Sequence, residues 1–350
     1  LVGVAKSRVL RGGMPRAPSI PGTISPLQLQ PLARALPELG LDAERIFGRC
    51  GVSLQQLADA NQRLPANVEF EVWDAIVAVS GDPLIGLKLA DLVNPGALGA
   101  YEYMLRNSET LRAAVERAQR YIRVIDDHTV LELVETSEES VIRQVREGGY
   151  PHPPAGTECL FAAIFRVLHR SLPAGFAREM RFQHRQRGEL QEYTQRFGCA
   201  VRFEHSADEV ALLPGWLDRK IGRADPRLGE VLEEQVQRML AELPHADAWS
   251  QRARTQLARL LTQGEASLPL LAETMHMSTR TLRRRLLEQE TSYKRLLDDV
   301  RRDIALYYVS RTEESFDQIA GRLGFADASA FYRAFKRWAD TTPAAYRGRA

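Results

Sequence analysis

The chain has 350 residues, too many for one ordinary domain and enough for two. With 44% hydrophobic and 26% charged residues it has the composition of a folded globular protein, not a disordered one. The net charge of +2 hides an uneven spread: residues 251–350 carry 18 Lys+Arg against 12 Asp+Glu, and the remainder 29 against 33. A basic C-terminal part beside a mildly acidic body excludes a uniformly cationic surface and fits a polyanion held at one end only.

Residues 1–25 are basic and rich in Gly, Pro and Ser, and read as a disordered tail. They lack the apolar core of a signal peptide, and Met14 is a candidate natural start. No apolar run is long enough to span a bilayer, so no membrane partner is expected. Cys50, Cys159 and Cys199 stand far apart with no CxxC pairing, which fits buried thiols in a reducing cytoplasm.

Short helices are predicted over Pro26–Leu36, Asp42–Cys50 and Ser53–Asn61, a stronger one over Val68–Ser80, and another over Pro83–Asp91. Asn94-Pro-Gly96 is a break. Ser108 is read as the cap of a helix whose Leu111, Val115, Ala118, Ile122 and Ile125 form one stripe. The period then changes: Thr129–Thr136 and Ser140–Glu147 read as a hairpin. An apolar helix, Glu158–Ser171, follows a Pro/Gly loop. Arg178–His184, Ala200–His205 and Glu209–Leu213 read as strands, with a helix over Gly188–Phe197. The N-terminal half, residues 26–213, is therefore expected to be α+β, with helices around a small, mostly antiparallel sheet. Apolar residues concentrate in the Glu158–Ser171 helix and the hairpin, where a sensing pocket would lie if there is one.

Residues 214–247 form a punctuated helical linker, with Leu228, Val231, Leu232, Gln235 and Met239 at helical spacing. Such a stripe covers its own domain or serves a dimer. An all-α domain over 248–350 begins with a helix at Ser250–Thr262. Ser267 caps a helix carrying Leu270, Leu271 and Ala272, His276 sits at a turn that favours left-handed backbone, and Ser278 caps a second helix, Thr279–Gln289. On that helix Leu282 and Leu286 share one side, and Arg280, Arg283 and Arg284 the other. The arrangement recurs. Ser315 and Gln318 make a capping box before Ile319, Ala320 and Leu323; Gly324 takes the turn; Asp327 caps a helix with Phe331, Phe335 and Trp338 inward. Two helix-turn-helix units in tandem are far more specific than one. Between them Tyr293, Leu296, Leu297, Val300, Ile304, Tyr307 and Tyr308 mark a long helix over 292–310, which at ~1.5 Å per residue spans about 30 Å.

These residues resemble the DNA-binding domain of the AraC/XylS family of bacterial transcription regulators. The match is carried by Ile319-Ala320, Leu323-Gly324-Phe325, Phe331, Arg333, Phe335-Lys336, Trp338 and Pro343 to Arg347, and in the first unit by Ser278, Arg280, Leu282 and Arg284. Glu290 and Asp340 depart from it, standing where glycines are common. The N-terminal half resembles, less sharply, the effector or dimerisation domain of the family's helical α+β branch, through Gly99, Leu105, Ser108, Thr110-Leu111 and Ala114. The resemblance implies double-stranded promoter DNA, a small-molecule effector, a second copy of the chain and RNA polymerase as partners. By helix phase, Arg280, Arg283, Arg284, Ser329 and Arg333 are expected to reach base edges, and Thr279, Thr281, Tyr332, Lys336 and Arg337 to hold the DNA backbone.

Seven histidines form no HxxxH or HExxH pattern, so no metal or cofactor is expected. Asp126-Asp127-His128 could be an acid/base cluster, but fits better as the polar end of a helix entering a strand. No nucleophile elbow or phosphate-binding loop stands in a strand–turn–helix context. Three classes remain: a ligand-controlled DNA-binding regulator, a ligand-independent one whose N-terminal half only dimerises, and an enzyme fused to a DNA-binding domain. A saturable small molecule that changes DNA affinity separates the first two; turnover without DNA would favour the third.

Overall fold

The structure is a computed structural model that describes residues 22–59, 62–146, 152–222, 224–243, 248–262, 264–312 and 314–348. Of the expected tail, residues 1–21 lie outside the described residues. The tail ends earlier than expected, because β1 (Thr23–Ile24) pairs with β2 (Leu64–Pro65) and Ile24 is fully buried.

Between these strands lie α1 (Gln30–Ala35), α2 (Ala43–Arg49) and α3 (Leu54–Ala58). The single helix expected over Pro26–Leu36 is broken into 3-10 and α segments, in keeping with the prolines at 26, 31 and 37. Asp42 caps α2, and Ser53 with Gln56 completes a capping box on α3. Then follow α4 (Asn67–Ser80), α5 (Ile85–Leu92), α6 (Ala100–Arg106) and α7 (Leu111–Tyr121). Helix α6 has no counterpart in the expected elements, its seven residues being too few to set up a clear period. The cap of α7 is Thr110, which accepts from the Ala113 N–H at 3.2 Å. Ser108 instead lies buried, donating to the Met104 carbonyl at 3.2 Å and accepting from Arg117 at 2.9 Å.

The sheet comprises β3 (Thr129–Glu135), β4 (Ser140–Arg146), β5 (Ala177–Arg181), β6 (Ala200–Arg202) and β7 (Asp208–Leu212). Its spatial order is β3-β4-β7-β5-β6. β3 and β4 form the expected hairpin, closing at Glu135 opposite Ser140. All pairs are antiparallel except β5–β6, which α9 (Leu190–Phe197) connects as a crossover. Helix α8 (Pro154–Ser171) packs along α5 at a distance that only glycine at position 86 permits, since a Cβ there would lie 2.2 Å from the Ala155 carbonyl oxygen. Helix α10 (Pro226–Glu242), in the expected linker, packs on α6 and α7. Its Val236 is fully buried and Glu233 accepts from Arg117 at 2.8 Å and from the Tyr121 hydroxyl at 3.0 Å. Val231 on the same helix stays 63% exposed, so only part of its apolar stripe is used.

The remainder is helical: α11 (Ala248–Thr262), α12 (Leu268–Thr274), α13 (Thr279–Glu288), α14 (Tyr293–Arg311), α15 (Phe316–Arg322), α16 (Ala328–Ala339) and α17 (Pro343–Arg347). Helix α14 buries Leu296, Val300, Ile304, Ala305, Tyr307, Tyr308 and Val309, an apolar stripe over nearly its full length. The observed architecture is the expected one, an α+β half followed by an all-α region with two helix-turn-helix units joined by a long helix.

Candidate nucleic-acid interface and effector cavity

Capping fixes both recognition helices. Ser278 accepts from the Thr281 N–H at 3.1 Å and Asp327 from the Ala330 N–H at 2.6 Å, while Ser315 and Gln318 close the capping box of α15. The turns use left-handed backbone at His276 (φ 52°) and Gly324 (φ 65°), matching positions in the two units. With Leu282 and Leu286 buried in α13, and Phe331 and Phe335 in α16, the opposite faces turn outward. Arg280, Arg283, Arg284, Ser329 and Arg333 are all exposed, as are Thr279, Lys336 and Arg337. Thr281 and Tyr332 are half-buried, with Thr281 Oγ1 2.9 Å from Ser278 Oγ and the Tyr332 ring edge-on to Phe316. Arg337 is already engaged, donating to Asp298 of α14 at 2.6 Å, and Arg284 lies 3.5 Å from Glu288.

Helix α14 ties the units together. Arg301 donates to the carbonyls of Leu323 and Gly324 at 2.8 and 2.9 Å, gripping the turn of the second unit, and its guanidinium lies 4.8 Å from the Phe325 ring centre. Trp338 donates to Asp298 at 3.0 Å. The first unit packs on α11, whose Arg254 donates to the buried Asp303 of α14 at 2.7 Å. Burial pushes the Asp303 carboxyl up to about 6, against the pull of Arg302 and Arg254. At ~1.5 Å per residue the helix is about 28 Å long, close to the ~34 Å between successive major grooves on one face of B-DNA.

The N-terminal half holds a cavity of about 380 Å³, between α7, α8 and the sheet. Its wall is mostly apolar: Leu111, Val115 and Ala118 of α7, Phe161 and Ile164 of α8, and Ile142, Val210 and Leu212 of the sheet. Polar groups also line it, among them Glu69, Asp126, Gln144, His152 and Thr157. Behind them lies the fully buried Arg146 side chain, which donates to Glu69 and, at 3.4 Å, to Asp126. Burial works to raise the Asp126 carboxyl, but Arg146, His128 and the His128 N–H together hold it down to about 2. Burial raises the Glu69 carboxyl, and lowers His152 well below the ordinary histidine range and His128 to about 4, so both imidazoles are neutral near pH 7. Gln144 Oε1, His152 Nε2 and Thr157 Oγ1 are buried without a hydrogen-bond partner. The Asp126-Asp127-His128 run is a structural corner: Asp126 accepts from the N–H groups of His128 and Thr129, and Asp127 pairs with Arg63 at 3.3 Å.

The cavity wall reaches the DNA-binding region within one residue. Next to Glu69 on α4, Phe70 meets Tyr307 of α14 edge-on, with ring centres 5.4 Å apart. The Arg146 guanidinium lies 4.7 Å from the Phe70 ring centre.

Residues 40–221 match the family described as the arabinose-binding domain of AraC transcription regulator, N-terminal, and residues 271–349 match a helix-turn-helix domain. The chain is 30% identical over 321 residues to the ornithine utilization regulator of Pseudomonas aeruginosa, covering 89% of this chain and 92% of that one. The chain belongs to the AraC family of transcription regulators. It is likewise 30% identical over 317 residues to the HTH-type transcriptional regulator VirS of Mycobacterium tuberculosis, with the same coverage of 89% and 92%. Among solved structures, the transcriptional regulator CdpR of Pseudomonas aeruginosa aligns over 92% of this chain and 98% of that one, at 20% identity and a TM-score of 0.44. The AraC-type chain is thus a DNA-binding transcription regulator with an effector domain. Among its described residues no helix is long and apolar enough to cross a membrane.

The cavity lies where apolar residues concentrate in sequence, beside α8 and the β3–β4 hairpin. Its polar members were not legible there. Glu69 and Trp73 are four apart on one helix, Gln144 and Arg146 two apart on one strand, and only the fold brings them to one place.

Proposed function

We propose that this AraC-family chain is controlled by a small molecule held in the N-terminal cavity, and that its occupancy is felt at the recognition helices through the contact between Phe70 and Tyr307. The observation that carries this reading is the adjacency on α4 of Glu69, in the cavity wall, and Phe70, packed on the helix that joins both units. Any movement of α4 that a ligand causes acts on α14, and α14 sets the spacing of both recognition helices. In this reading residues 26–213 sense and dimerise, 214–247 connect, and 248–350 bind DNA. Arg280, Arg283, Arg284, Ser329 and Arg333 read bases, while Thr279, Thr281, Tyr332, Lys336 and Arg337 hold phosphates, Arg337 after leaving Asp298. The exposed Leu228 and Val231 of α10 are the apolar residues available for a second copy. RNA polymerase is the partner an AraC-type activator would meet next, and the protein carries out no catalysis of its own.

Footprinting genomic DNA with the purified full-length protein locates its sites, and titrating fractionated small metabolites against one site tests the control. A fraction that changes affinity saturably in the wild type, and less in Phe70→Ala, supports the reading. Tight DNA binding that no fraction alters would favour a regulator whose N-terminal half only dimerises.

A further inference from the structure

The family description names arabinose, but the wall of this cavity is wrong for a pentose. A sugar carries a hydroxyl on almost every carbon, and each one set against Leu111, Val115, Ala118, Phe161, Ile142 or Val210 would be buried without a partner. The apolar stretch asks for an apolar body. The volume of about 380 Å³ falls in the roughly 300–1,000 Å³ range of small-molecule sites.

The polar groups specify the other end. Glu69 and Asp126 line the cavity and share one guanidinium, that of Arg146, so this cluster carries one negative charge more than it balances when both are ionised. The neighbouring lining groups are neutral: the Gln144 amide, the His152 imidazole and the Thr157 hydroxyl, each with a buried oxygen or nitrogen lacking a partner; Arg146 Nε and Nη1 also lack one, but that side chain is fully buried and does not line the cavity. Glu69 keeps 14% of its side chain exposed, whereas Arg146 keeps none. Trp73, one helical turn from Glu69, adds an aromatic ring to the same wall. The lining cations lie elsewhere. Arg106 is paired with Glu102 at 3.8 Å. Arg166 stands nine residues along α8 from Thr157, about 14 Å at ~1.5 Å per residue, and both its terminal nitrogens donate to the carbonyls of Asp91 and Val93.

We propose that the cavity takes an amphipathic amine, its ammonium head among Glu69, Gln144, His152 and Thr157 and its apolar body along α7 and α8. An ammonium group has three donors and no acceptor, and these side chains offer a carboxylate, an amide oxygen, an imidazole nitrogen and a hydroxyl oxygen. The inference rests on the cavity being the effector site and adds the chemical class.

The test uses the full-length protein at pH 7 with three probes of matched length, octylammonium, 1-octanol and octanoate. Binding is followed by calorimetry and by the fluorescence of Trp73 against a Trp73→Phe control. Octylammonium should bind at least tenfold more tightly than either of the others. Glu69→Gln should weaken it at least tenfold while leaving octanol within twofold. Thr157→Val, which leaves Arg146 and its partners untouched, should weaken octylammonium several-fold and serves where Glu69→Gln does not fold. Octanol or octanoate binding as tightly as octylammonium overturns the amine class and leaves the effector reading standing. Octylammonium binding that never alters affinity for a footprinted site supports the site and overturns the effector reading. Failure of all three probes to bind overturns the proposal.

Discussion

Arg146 and Arg284 are the same residue in opposite settings. Arg146 has no exposed side-chain surface and is shared between Glu69 and Asp126. Arg284 is 72% exposed at its side chain, with Glu288 3.5 Å away as its one ion-pair partner among the described residues. The N-terminal half spends its charges on holding itself together around a cavity. The C-terminal region leaves most of its recognition-helix cations facing water on two units joined by α14. Sensing a small molecule calls for buried polar groups whose hydrogen bonds are incomplete, whereas binding DNA calls for cations that cost little to bring to phosphate and base.

The contrast breaks most visibly at Arg146. Arg146→Met leaves Glu69 and Asp126 without their cation, and breaking a buried pair in this way costs about 3–5 kcal/mol. Urea unfolding of the full-length variant should show that loss, and a loss under about 1 kcal/mol would mean the cluster does not hold the fold. At the other end the effect should fall on binding and not on stability. Arg284→Ala or Arg333→Ala should cost about 1–3 kcal/mol on the cognate site, less on random DNA, and leave unfolding within about 0.5 kcal/mol of wild type. Equal losses on both DNAs would make these residues phosphate holders. The smallest effect concerns the backbone. Glu290 and Asp340 sit at φ 51° and 52°, the left-handed region where a side chain is strained. Glu290→Gly and Asp340→Gly should each stabilise the chain by about 0.5–1 kcal/mol, the relief exceeding glycine's added unfolded-state entropy. A destabilised Asp340→Gly would show that the Asp340 side chain stabilises its own turn.

The two regions were also unequally legible in sequence. Capping residues, turn positions and helical phase are local, so Ser278, Gly324, Asp327 and the limits of α14 could be placed to within a residue or two. Glu290 and Asp340 depart from the family pattern in the sequence itself, and their positive φ values give the physical meaning of that departure. The N-terminal half yielded its class and most of its strands, including the β3–β4 hairpin. The cap of α7 was misplaced because Ser108 and Thr110 are both good caps two residues apart, and only packing buries one of them. The cavity cluster draws Glu69, Asp126, Gln144, Arg146, His152 and Thr157 from two helices, one strand and their connections, and no periodicity predicts that meeting.

The claim that two recognition helices ride on one rigid helix is tested most directly by DNA spacing. Once footprinting has defined the two adjacent major-groove segments of a site, five base pairs are inserted between them and the affinity of the full-length protein is measured at fixed salt. The insertion turns one segment by about half a helical turn. With α14 fixing the separation, both segments cannot then be held together, and affinity should fall at least tenfold. Protection should remain over the segment read by the more cationic α13. Unchanged affinity with both segments still protected would contradict the rigid arrangement.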